Sequence, residues 1–219
     1  MRRTLLLTTA ALTAASCGRL PVPGDTSTPQ AITGQVRTAS LPSTLTYRSG
    51  VDGSETSANV GADGQFTLGL TLPSEGLTEP ETLLALIGCT GTVTTSSADA
   101  RGAAIFALHD ERGVSYVAGE GRARAVPPGA DVNVQGFVYS DRAVSITGTL
   151  DCRDVIRSPL AIPTQVSLVA AKGWNRVTLA ISSDLGVGGA KMSARLSTGG
   201  SPLTVWRTAQ DLQGDLRLF

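Results

Sequence analysis

Val177-Thr178-Leu179-Ala180-Ile181 places an apolar side chain at every second position, and Val132-Asn133-Val134 and Phe137-Val138-Tyr139 belong to the same pattern upstream. A period of two sends alternate side chains to opposite faces of a strand, so each stretch reads as a half-buried β-strand. Working outward, β-prone runs cover 31–38, 43–48, 54–60, 65–72, 91–95, 102–109, 113–119, 132–139, 143–150, 165–171, 175–182, 191–197 and 203–207. Between them stand Gly, Pro, Asp and Ser. Asp52-Gly53 and Asp63-Gly64 are tight-turn dipeptides, because glycine accepts the positive φ such turns require. Asp110-Glu111-Arg112-Gly113 reads as a four-residue hairpin loop, Lys172-Gly173 separates two further runs, and the glycine cluster Gly186-Val187-Gly188-Gly189 reads as a hairpin loop. Turns every 8–12 residues predict an all-β chain, an antiparallel β-sandwich that is either one unit or two packed sub-domains divided near 98–102. One segment differs. Thr78 to Leu86 has Pro80 near its start, acids in its first turn and Leu83, Leu84 and Leu86 beyond, which predicts one short helix.

The chain has 219 residues, of which 41% are hydrophobic and only 4% aromatic. The core must therefore be built from Val, Leu, Ile and Ala, and stacking surfaces for bases or sugars are not expected. Lys plus Arg equal Asp plus Glu at 18 each. Such a surface provides no field to hold a phosphate backbone, so nucleic acid is excluded as a partner.

The first residues carry an address. Met1-Arg2-Arg3 is a positive n-region and 4–15 an uncharged apolar run, shorter than the ~20 residues a membrane-spanning helix needs. Ala14-Ala15-Ser16-Cys17 resembles the lipobox of bacterial lipoproteins, which implies cleavage after Ser16 and acylation of Cys17. Residues 1–16 are then a signal peptide, 17–30 a Pro- and Gly-rich tether, and 31–219 the folded β domain. Losing Arg2 and Arg3 leaves 16 basic against 18 acidic side chains, net −2. The expected location is the cell envelope, lipid-anchored and facing periplasm or exterior.

With Cys17 assigned to lipid, Cys89 and Cys152 remain, and an even pair in an oxidising compartment predicts one disulfide. A metal site is the rival. It lacks ligands, since there is no C-x-x-C and the single histidine is His109. No metal or other cofactor is expected.

Ile32-Thr33-Gly34-Gln35-Val36, followed by Ala62-Asp63-Gly64-Gln65-Phe66-Thr67-Leu68, resembles the carboxypeptidase regulatory-like, or transthyretin-like, β-sandwich. Members open with a G-x-V strand and later deliver an aromatic inward from an Asp-Gly turn. The resemblance covers about 40 residues and implies an accessory module for stability, spacing or protein contact. The Ser-rich stretch 49–60 departs from the family's alternation.

No catalytic set stands out. A Ser–His–acid site would have to use His109, beside Asp110 and Glu111, but no G-x-S-x-G elbow accompanies it. Trp174 and Trp206 read as core closures in preference to a ligand-stacking pair. Three functions compete: a membrane-anchored structural or protein-interaction module contacting another envelope protein; a small apolar ligand or lipid binder; and, last, a hydrolase.

Overall fold

The computed structural model describes residues 28–48, 55–73, 75–155, 159–186 and 189–214. Fourteen strands follow in order: β1 Ala31–Val36, β2 Thr44–Arg48, β3 Glu55–Asn59, β4 Gln65–Gly69, β5 Thr90–Thr95, β6 Gly102–Ile105, β7 Leu108–His109, β8 Ser115–Ala125, β9 Pro128–Ser140, β10 Val144–Asp151, β11 Pro163–Ala170, β12 Gly173–Gly186, β13 Gly189–Thr198 and β14 Val205–Thr208. Helix α1 spans Pro80–Leu86, and a helical turn, α2, spans Ala209–Gly214. The chain is all-β, as its alternation predicts.

One half of the sheet runs β3-β2-β7-β8-β14-β1-β4 and the other β8-β9-β12-β13-β11-β10-β5. Strand β8 belongs to both. Tyr116 to Ala118 pair with β14, and Ala118 to Ala125 pair with β9. Neighbours are antiparallel except β1 with β14 and β11 with β13.

Two hydrophobic clusters lie against these halves, and β9 feeds both. Val132, Val134 and Val138 enter the larger with Val177, Leu179 and Ile181 of β12. Phe137 and Tyr139 point the other way, into a cluster with Leu45, Phe66, Leu68 and both tryptophans. Consecutive residues buried on opposite faces explain why 137–139 is apolar throughout.

The run 102–109 breaks into β6 and β7 because the chain leaves β9 to join β8. Phe106 marks the break, its ring so close over Gly136 that a Cβ there would lie 2.6 Å from Cε1. Strands β8 and β9 outrun expectation toward each other across Ala125-Val126-Pro127-Pro128, where the Val126–Pro127 peptide is cis. That stretch has turn-like composition, and proline is admitted as the first residue of a strand.

Helix α1 starts at Pro80, with the proline in its first turn as expected and Glu79 at the N-cap. Leu83 and Leu84 go into the larger core while Leu86 faces out. Gly88 at φ +90° ends the helix, and the Cys89 N–H bonds the Leu84 carbonyl at 3.0 Å, which brings Cys89 to the start of β5.

Candidate functional site

Cys17 lies outside the described residues. Cys89 and Cys152 are both buried and form a disulfide. It joins the chain just before β5 to the chain just after β10, where Thr90 already opposes Asp151. Asp151 organises the same corner. Its carboxylate accepts from Arg153 Nε at 2.7 Å and from the Ile162 N–H at 2.9 Å, and Arg153 first, then Ile162, hold it down at a pKa of about 2.

His109 is exposed at the end of β7, directly opposite Ser115 on β8, with Ser115 Oγ 3.1 Å from its Nδ1. This is a cross-strand pair on the surface. A nucleophilic triad also needs an acid on the ring's other nitrogen, and among the described residues no carboxylate takes that place. Asp110 is turned inward. Its Oδ1 accepts the N–H groups of Arg112 and Val114 at 2.9 and 2.8 Å, and its Oδ2 accepts Arg112 Nη2 at 2.7 Å and the Tyr116 hydroxyl at 3.3 Å. Burial would raise its pKa, but the Val114 N–H and the Arg112 guanidinium outweigh burial and leave it below the ordinary value. Glu111 binds the Ser43 and Thr44 N–H groups, tying the loop to β2. The acids beside His109 therefore set a hairpin.

Both tryptophans close cores. Trp174 donates its Nε1–H to the Thr71 carbonyl at 2.9 Å and meets Tyr139 edge-on at 5.6 Å. Trp206 meets Phe66 edge-on at 5.7 Å. The cavity between α1 and the larger sheet, lined by Leu83, Val138, Val144, Ile146 and Leu168 among others, measures about 10 Å³. That is room for roughly one water and not for an acyl chain. Among the described residues no group of three His, Cys, Asp or Glu is placed to hold a metal, and no helix is long and apolar enough to cross a membrane.

Two surfaces stand apart from this packing. The first is the outer edge of β5, Thr90-Gly91-Thr92-Val93-Thr94-Thr95. Strand β10 covers one side, and no described strand pairs with the other. The edge carries no charge and no proline, the usual protections of an open edge.

The second is a tongue in which the far ends of β8, β9, β12 and β13 run together past the core. Directly opposed residues share a face, and one face carries the row Arg124, Gly129, Asp184 and Lys191, with Arg122, Asp131 and Ser182 behind it. Arg124 clamps this face. Its Nε lies 2.8 Å from Asp131 Oδ2, and its Nη2 bonds Asp184 Oδ1 at 2.8 Å and the Ser183 carbonyl at 3.0 Å. The other face, Ala123, Ala130, Ser183 and Met192 leading to Ala125, Pro128, Leu185 and Ala190, continues the row of Val132 and Ile181 and is apolar but for Ser183. Sequence reasoning missed the tongue. The available signal was Arg-x-Arg-x-Val-Pro-Pro, a turn without a polar turn residue flanked by strand-compatible alanines.

No protein-family model, no curated protein and no solved structure matches the chain.

Proposed function

We propose that the protein is an exported lipoprotein, held on the cell envelope by acyl chains at Cys17, whose β domain serves as a structural and protein-interaction module. The observation that carries the reading is the Ala14-Ala15-Ser16-Cys17 junction after a short charged and apolar leader. Two acyl chains suffice for stable anchoring without a spanning segment. The disulfide supports it, since such bonds persist in oxidising compartments. The resemblance to transthyretin-like sandwiches favours an accessory role, and Gly34 and Phe66, from the two motifs that carry it, oppose each other on β1 and β4.

The uncharged edge of β5 is the proposed contact for an envelope partner, which would add an extended segment to the sheet through main-chain hydrogen bonds. The test is purification of the acylated protein from its own membranes, with and without Thr92→Lys and Thr94→Lys. The reading expects one reproducible partner from the unaltered chain and its loss from the edge variant. Recovery of the same partner by both would remove β5 from the account, and repeated failure to find any partner would remove the interaction role.

A further inference from the structure

We infer that the tip of the tongue is a second membrane contact, an apolar wedge with a cationic flank that enters the headgroup region of an anionic bilayer. The contact goes beyond the acyl anchor, and its location relative to that anchor rests on the reading of Cys17.

Turn composition is the first observation. Elsewhere the turns between successive strands carry polar residues, as at Asp63, in the Asp110 to Gly113 hairpin, at Asp141-Arg142 and at Lys172. Polar turn residues satisfy freed backbone groups and water. The tongue ends differently. Ala125-Val126-Pro127-Pro128 and, beside it, Leu185, Gly186, Gly189 and Ala190 are all exposed and carry no polar side chain. Val126 is 91% exposed and Leu185 44%. Two adjacent hairpins thus present exposed apolar side chains, with no polar one between them, at the same end of the sheet.

Charge is the second. Arg124 bridges Asp131 and Asp184, which leaves that trio at net −1, and the exposed Arg122 and Lys191, opposite Asp131 and Asp184 on the same face, bring these five side chains to net +1. The net charge next to the apolar tip is therefore positive, which complements anionic lipid.

Size selects lipid over protein. From strand spacing and rise, the tip offers roughly 300 Å², well under the ~800 Å² per partner of a specific protein interface, and none of the Trp, Tyr or Arg anchors that dominate such interfaces lies at its end. A bilayer requires no shape complementarity.

Geometry allows both contacts on one membrane. Thr28 packs on Gly173, which opposes Ser140, while Asp184, opposite Gly129 at the base of the tip, lies eleven residues further along β12. That length is about 36 Å. The ten residues between Cys17 and Thr28 reach at most about 36 Å when extended. The tether is therefore long enough for an acylated Cys17 and an inserted tip to engage one membrane.

The test uses the mature chain exported behind a leader cleaved before residue 18, so that binding does not depend on acylation. Val126→Cys is then the one free thiol and carries an environment-sensitive fluorophore; Thr147→Cys, on the outer face of β10, is the control. With vesicles of phosphatidylethanolamine and phosphatidylglycerol, the label at 126 should shift to the blue and be quenched by lipid-borne quenchers, and the label at 147 should not. Val126→Asp with Leu185→Asp should lower co-flotation with these vesicles about tenfold, and Arg122→Glu with Lys191→Glu should abolish the preference for phosphatidylglycerol over phosphatidylcholine. An unchanged label at 126 in every vesicle would overturn the inference, as would a label that responds only when detergent-extracted envelope proteins are added. Either result leaves the acylation of Cys17 untouched, since that is read separately by lipid incorporation.

Discussion

Gly34 of β1 lies against the indole of Trp206, so close that a Cβ on Gly34 would sit 2.4 Å from Cδ1 and 2.5 Å from Nε1. The indole fills the space a side chain would take, and it is nearly inaccessible to solvent. Phe66, opposite Gly34 on β4, meets the same ring edge-on. The glycine of the G-x-V strand is thus required by the tryptophan and not by a turn.

Gly34→Ala should therefore overpack the smaller core and cost about 1–3 kcal/mol, read as a lower midpoint in chemical denaturation. Trp206→Ala should cost about 3–5 kcal/mol. The double variant should be less damaging than the two costs summed, because one residue occupies the other's space. Strict additivity would show that the contact is not made.

The disulfide closes 63 positions of chain. Loop-closure entropy for that length amounts to about 4 kcal/mol. Cys89→Ser, Cys152→Ser and the double variant should each lose a stabilisation of that order, and reductant should lower the unaltered chain toward them while leaving the variants unmoved. A reduced chain as stable as the oxidised one would remove the bond from the account of stability.

Asp151 sets an acid limit. With its pKa at about 2 in the fold against an ordinary 3.8, its contribution is complete above the ordinary value and is lost as pH falls through the folded one. Unfolding free energy should decline between about pH 4 and pH 2, and Asp151→Asn should flatten that decline. Asp110, also below its ordinary value, contributes with the same sign. A variant with an undiminished acid slope would contradict the assignment of Asp151.

Arg124 holds the tongue together. Arg124→Ala leaves Asp131 and Asp184 close together without their cation, so amide exchange in 120–131 and 181–192 should quicken while the β10–β11 amides keep their protection. Partly exposed ion pairs are worth about 1 kcal/mol or less each, so the global midpoint should move little. Uniformly faster exchange would mean that the tongue is not a separate unit.

His109→Ala should change stability by less than about 0.5 kcal/mol, as expected of an exposed residue away from caps and cores. Any hydrolytic activity found in the purified protein should survive the change, and its loss would revive a catalytic role for the His109–Ser115 pair.

Much of this architecture is legible in the residues. Alternation located strands that bury one face, as β11 does with Thr164, Val166, Leu168 and Ala170 buried and their neighbours exposed. Cysteine parity located Cys89 with Cys152. Pairing order was not legible, because β13 returning between β12 and β11, or β8 passing from one half of the sheet to the other, depends on contacts far apart in the chain. The tongue was hidden for a local reason. Gly119 and Gly129 weaken a strand signal, and here they serve close packing, with Leu212 beside Gly119 and the Ser183 carbonyl at Gly129. The ionic node of Asp110, Arg112 and Tyr116 was half visible as a charged hairpin, but its inward turn follows from burial, which composition does not report.

Fatty acid at Cys17 is what would hold the protein on the envelope, and metabolic labelling with radioactive palmitate tests for it most directly. Incorporation into a shortened chain, abolished by Cys17→Ser, is the predicted result. An unlabelled protein that retains residues 1–16 would contradict it.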